Sequence, residues 1–124
     1  MGKDGNTGIL RIIRAARYSA QGLGHAWKHE SAFRQEIALT LILVPAGLWL
    51  GRTTIERTIL IASCVIVLIV ELLNSAVEAA VDRHGDAYHE LSGRAKDLGS
   101  AAVMLSLLLV GVVWSAVAYQ RFFA

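Results

Sequence analysis

The chain has 124 residues, 55% of them hydrophobic, with a mean hydropathy of +0.51 and a single proline. That profile excludes an ordinary soluble globular protein and a multidomain one, and it places the chain in the membrane class as one small domain. The formal net charge is +2, and no nucleic-acid partner is expected.

Residues 1–8 are Gly-rich and polar and are expected to be disordered. No cleaved signal peptide is expected, and the start lacks the Ser or Thr that N-myristoylation wants at the sixth position. From Ile9 onward, Ile9, Ile12, Ile13, Ala16, Ala20, Leu23 and Trp27 recur at spacings of three and four, with Arg11, Arg14, Arg17 and Lys28 mostly off that face. The pattern predicts a basic amphipathic helix over 9–29. It suits an anionic membrane surface, although packing on a helical bundle is not exclusive of that.

Three uncharged windows follow, at 37–51, 58–70 and 98–120. Only the third reaches the roughly 20 apolar residues that cross a hydrocarbon core. The first two must therefore take in polar flanks, which gives predicted transmembrane helices at 33–51, 57–81 and 97–120 and carries Glu71 inside the membrane. Pro45 and Gly47 permit a kink in the first span. Trp49 and Trp114, with Tyr119, Phe122 and Phe123, read as an interfacial aromatic belt. Cys64, alone in an apolar run, reads as a small core thiol. Residues 84–93 read as a polar loop, with Ser92 as the N-cap of the last helix.

The N-terminal segment and the second loop hold Lys3, Arg11, Arg14, Arg17, Lys28, Arg34, Arg83, Arg94 and Lys96, and the other side only Arg52, Arg57 and Arg121. This bias predicts a cytoplasmic N-terminus and an external C-terminus. Three spans enclose little, and the small-residue runs Ser75-Ala76, Ala79-Ala80 and Gly99-Ser100-Ala101-Ala102 predict a homo-oligomer.

Within the second span, Glu71, Asn74, Ser75, Glu78 and Asp82 fall in a stripe roughly 100° wide at about 100° per residue, the other faces carrying Leu, Val and Ala. A carboxylate in hydrocarbon costs about 2.5–3.5 kcal/mol on insertion scales, so two on one stripe call for a function. Glu71 falls about 8 Å below the predicted cytoplasmic boundary, the layer where a lipid headgroup hydroxyl meets a phosphate donor from the cytosol. Glu71 is then placed to accept a proton from a lipid alcohol, with Glu78 holding Mg2+ on a nucleotide and Arg94 and Lys96 near a helix N-terminus complementing phosphates. A polar seam that only ties helices together and an ion- or proton-translocating subunit stay open on these grounds. Soluble-kinase phosphate loops are absent, and His29-Glu30 and His89-Glu90 each lack the second histidine of a metal-hydrolase motif.

The run ELLNSAVEAAVDR (71–83), the run YHELSGRAKDLGSAAV (88–103), and the shorter RIIRAA (11–16) and AFRQE (32–36) closely resemble the prokaryotic diacylglycerol kinase family of small integral membrane enzymes. The resemblance implies an all-α homotrimer with three transmembrane helices and a surface helix per subunit, multi-pass in the bacterial inner membrane. Sites between subunits would transfer the γ-phosphate of MgATP to diacylglycerol, giving phosphatidic acid. A polyprenol such as undecaprenol is the alternative acceptor. By matching position, Glu71 resembles the catalytic base and Asn74 a further active-site group, while Glu30 and Glu78 resemble the Mg2+ ligands. Arg11, Tyr18, Tyr88, His89, Lys96 and Asp97 resemble nucleotide contacts. The lipid contacts fall on Ala15, Arg17, Tyr18, Ser19 and Ala20, on Gly24 and Trp27, and on Ala32, Phe33, Arg34, Gln35 and Glu36. They continue on Trp49, Arg52, Glu71, Ser100 and Trp114. Ala87 departs from the family pattern, which carries an acidic residue before Tyr-His-Glu.

Overall fold

The computed structural model describes residues 7–83 and 89–124, which form four α-helices: α1 (Gly8–His29), α2 (Ser31–Leu50), α3 (Thr54–Asp82) and α4 (Glu90–Phe123). The last three are each long and apolar enough to cross a membrane. Of the segment expected to be disordered, residues 1–6 lie outside the described residues and Gly8 opens α1.

The α1–α2 break is a single residue. Glu30 is extended (φ −116°, ψ 103°), and its N–H still donates to Ala26 O at 2.9 Å. Arg34, one turn into α2, donates from Nη1 to the carbonyls of Trp27 (2.6 Å) and Lys28 (3.3 Å). A cation thus closes the negative end of α1, as orphan carbonyls require. Ala26 and Phe33 are buried on either side of this hinge.

Helix α2 continues through Pro45 and ends where Gly51 N–H donates to Gly47 O. A Cβ at Gly51 would press within 2.7 Å of Arg57 Cγ, so glycine lets the turn close onto α3. Thr53 then caps α3, its hydroxyl accepting from Glu56 N–H at 3.1 Å while Glu56 Oε1 accepts from Arg52 N–H at 3.0 Å. This is a capping box displaced by one residue.

Two arginines close the far end of the bundle. Arg57 Nε donates to the carbonyls of Leu48 and Gly51, both at 3.0 Å, and Arg121 Nη1 to those of Trp49 (2.9 Å) and Leu50 (3.2 Å). Four C-terminal carbonyls of α2 are thereby satisfied from α3 and α4. The Arg121 guanidinium also lies 4.5 Å from the Trp49 ring centre, and Arg52 Nη2 donates back to Arg121 O at 3.1 Å. The small core of Leu50, Leu60 and Val117 sits beside this latch.

Trp114 departs from the aromatic belt. Its indole N–H donates to Ser63 Oγ at 3.2 Å, and Ser63 Oγ donates to Leu60 O at 2.7 Å. Gly47 leaves the ring its room, since a Cβ there would meet Trp114 at 3.3 Å. Trp49, Tyr119, Phe122 and Phe123 remain exposed, and Cys64 is buried and free.

Because α4 returns to the end of α2, it runs parallel to α2 and antiparallel to α3. The most extensive packing is between α3 and α4, followed by α2 with α3. Most apolar side chains nevertheless face outward, from Leu41 and Ile42 on α2 to Leu105 and Leu108 on α4.

Truncating Arg121 to alanine uncaps two carbonyls and removes the Trp49 contact, an expected cost of about 2 kcal/mol. Thermal unfolding in detergent reads this as a lower midpoint; a midpoint equal to the parent's means that the latch contributes nothing.

Candidate active site

The polar stripe of α3 lies at the end of the bundle opposite the arginine latch. At about 1.5 Å per residue, Glu71 stands about 25 Å along the axis from Thr54. It is 7% exposed, in a helix whose other buried members are Leu60, Ser63, Cys64 and Val67. Glu36 from α2, Glu78 two turns along α3, and Glu30 at the hinge are the charges that act on it most strongly. Carboxylates from three segments therefore converge at one end.

Asn74 and Glu78 form the next layer. Asn74 Nδ2 donates to Glu78 Oε1 at 3.5 Å, a long contact, while Asn74 Oδ1 is buried without a partner among the described residues. Gly99 of α4 lies directly against that oxygen. One turn further, Lys96 Nζ meets Asp82 Oδ1 at 2.7 Å. Lys96 precedes the uncharged stretch that begins at Leu98.

The start of α4 differs from the sequence expectation. His89, not Ser92, is the N-cap: its Nδ1 accepts from Leu91 N–H at 3.1 Å, and Glu90 pairs with Arg94 at 3.7 Å. The partner of Lys96 is Asp82 across the helix gap rather than its neighbour Asp97, which is exposed. Tyr88, Ala87 and His84 lie outside the described residues.

On α1, Arg11, Ala15, Arg17, Tyr18, Ser19, Ala20, Gly24 and Trp27 are all exposed. A groove of about 850 Å3 separates this helix from α3, lined by Ser19, Leu23, His25, His29 and Glu30 on one wall and Leu72, Ser75, Ala76 and Ala79 on the other. Of the residues matched by resemblance, Ser19 and Glu30 line it. Ala32 and Gln35 are exposed at the start of α2, Glu36 is half-buried, Phe33 is buried in the hinge and Arg34 is committed to the carbonyls of α1. Ser100 is exposed on α4 beside Gly99. Trp49, Arg52 and Trp114 belong to the latch end, so they are not brought together with Glu71.

Among the described residues, no group of three or more His, Cys, Asp or Glu side chains is close enough to form a metal cage. Magnesium does not require one, since it binds through one or two carboxylates together with substrate phosphates. The oxygen-only donors Glu30 and Glu78 suit a hard cation, and both act electrostatically on Glu71. Sequence reasoning missed Asp82 as the partner of Lys96, Gly99 as the residue facing Asn74, and the groove residues His25 and Leu72. For the groove, the small residues Gly22, Ala76 and Ala79 were the available signal.

Residues 17–118 match the family model described as prokaryotic diacylglycerol kinase. The chain is 51% identical over 116 residues to a diacylglycerol kinase of Escherichia coli strain K12, covering 94% of this chain and 95% of that protein. It is 50% identical to one of Haemophilus influenzae, covering 91% and 96%, and 45% identical to one of Pseudomonas aeruginosa, covering 91% and 92%. An all-helical chain with three membrane-length helices and a buried glutamate facing an acidic cluster thus belongs to the prokaryotic diacylglycerol kinase family.

Proposed function

We propose that this chain is a membrane-embedded lipid kinase transferring the γ-phosphate of MgATP to the free hydroxyl of diacylglycerol, giving phosphatidic acid and ADP. The observation that carries the reading is Glu71, nearly sealed within an apolar helix yet within electrostatic reach of Glu30, Glu36 and Glu78. A carboxylate kept there for structure alone would work against its own desolvation cost.

In this reading Glu71 takes the proton from the lipid hydroxyl as its oxygen bonds to the γ-phosphorus and the bond to the ADP oxygen breaks. Asn74 orients the groups beside it. Glu30 and Glu78 hold Mg2+, which when bound offsets the charge of the triphosphate. Lys96 and Asp97 at the α4 entrance, with Arg11, Tyr18, Tyr88 and His89, contact the nucleotide. The lipid lies along the surface of α1 and the hinge, through Ala15 to Ala20, Gly24, Trp27 and Ala32 to Glu36, and reaches Ser100. Trp49 and Arg52, at the α2–α3 turn, are about 25 Å from Glu71, and Trp114, bonded to Ser63, about 12 Å along the axis, so only acyl chains approach them.

The whole chain forms one kinase domain of a homotrimer, with α1 an amphipathic helix on the cytoplasmic face of the inner membrane. Support comes from the exposed apolar residues Ile9, Ile12, Ile13, Leu23 and Trp27 on α1, from the outward apolar faces of α2 and α4, and from the excess of cations at the acidic end. The N-terminus is then cytoplasmic and the C-terminus external.

Glu71→Gln is expected to lower kcat roughly 10²- to 10⁴-fold while leaving subunit assembly and MgATP binding close to those of the parent. Radiolabelled phosphatidic acid formation in mixed micelles measures it, and near-parental turnover refutes the base assignment. Glu78→Gln should instead raise the Mg2+ concentration needed for half-maximal rate by about tenfold or more; an unshifted magnesium titration removes Glu78 from the metal site. The same assay given undecaprenol in place of diacylglycerol should yield little product, and a faster reaction with the polyprenol overturns the choice of acceptor.

A further inference from the structure

The α3–α4 interface has an unusual seat at Gly99. A Cβ built there would overlap Asn74 Oδ1, and that oxygen is itself buried with no hydrogen-bond partner among the described residues. The carboxamide is therefore held in the helix gap by the absence of a side chain opposite it and by one long hydrogen bond from Nδ2 to Glu78 Oε1. Gly111, three turns along the same helix, has open space around an added Cβ. The requirement for glycine is thus local to the level of Asn74.

We propose that Gly99 is a positioning residue of the phosphoryl-transfer site: its missing side chain seats the Asn74 carboxamide between α3 and α4, from where it steadies Glu78. This rests on the reading of Glu78 as a metal-binding carboxylate. A methyl group at position 99 would meet the far end of the Asn74 side chain, so the carboxamide is the group that has to move. Asn74 has only two rotatable side-chain bonds, and turning the amide out of the gap takes Nδ2 away from Glu78 Oε1.

The test is a double-mutant cycle on the purified full-length chain, with Gly99→Ala, Asn74→Ala, the double variant and Gly111→Ala as control. Two readouts are taken: magnesium titration of diacylglycerol phosphorylation, and the thermal unfolding midpoint in detergent. Gly99→Ala should raise half-saturating Mg2+ about tenfold or more with a smaller fall in kcat. The double variant should match Asn74→Ala within about twofold, because the clash disappears with the carboxamide. The unfolding midpoint should fall on Gly99→Ala beside Asn74 and hold steady beside alanine at 74, while Gly111→Ala changes neither readout.

An unshifted magnesium dependence in Gly99→Ala, a loss confined to kcat, or equal losses in both backgrounds would each overturn the proposal. Should Asn74→Ala turn over too slowly to titrate, the unfolding cycle decides the contact alone. If Glu78→Gln leaves magnesium dependence unchanged while the unfolding cycle remains non-additive, the metal reading has failed and the Gly99–Asn74 seat has not.

Discussion

The fold is organised around keeping one carboxylate, Glu71, inside a helix that is otherwise apolar. Hydrocarbon makes that expensive, so the surrounding structure has to offer polar neighbours without opening the helix to lipid on every side. Helix α4 covers the next layers of the stripe at close range, with Gly99 against Asn74 and Lys96 bonded to Asp82. Glu36 and Glu30 add negative charge from α2 and the hinge. An acidic cluster of this kind repels itself, and a bound cation relieves that repulsion. In the proposed function, the Mg2+ of the nucleotide would supply that cation.

The two ends of the bundle divide the work. At the latch end, Arg57 and Arg121 satisfy the last carbonyls of α2, Trp114 and Ser63 share a buried hydrogen bond, and Leu60 is sealed. Helix termini inside or near a membrane need such internal partners, because lipid supplies none. At the acidic end an 850 Å3 groove separates α1 from α3, and the Asn74 carboxamide is only partly satisfied.

Much of this was legible in the sequence. The three membrane-length helices followed from the uncharged windows, and the stripe from 3.6-residue periodicity, because both depend on local order along one helix. Even the shortness of the window at 58–70 was informative: α3 runs straight through Glu71. What escaped were pairings set by helix-to-helix geometry. Arg57 and Arg121 read as topology signals but serve as caps, Trp114 turns inward to Ser63, and Lys96 chooses Asp82 over adjacent Asp97. The N-cap was missed for a local reason, since serine is the commoner cap, but the helix starts three residues earlier, where the His89 imidazole accepts from Leu91 N–H.

The claim at the centre is that a lipid hydroxyl comes within hydrogen-bond reach of the Glu71 carboxylate. Solid-state NMR on bilayers holding the protein, a non-hydrolysable MgATP analogue and diacylglycerol labelled with 13C at its hydroxymethyl carbon measures that approach directly. A through-space correlation is expected between this carbon and the side-chain carboxyl of Glu71, assigned by its loss in Glu71→Ala. A correlation to Glu36 or Glu78 with none to Glu71 would contradict it.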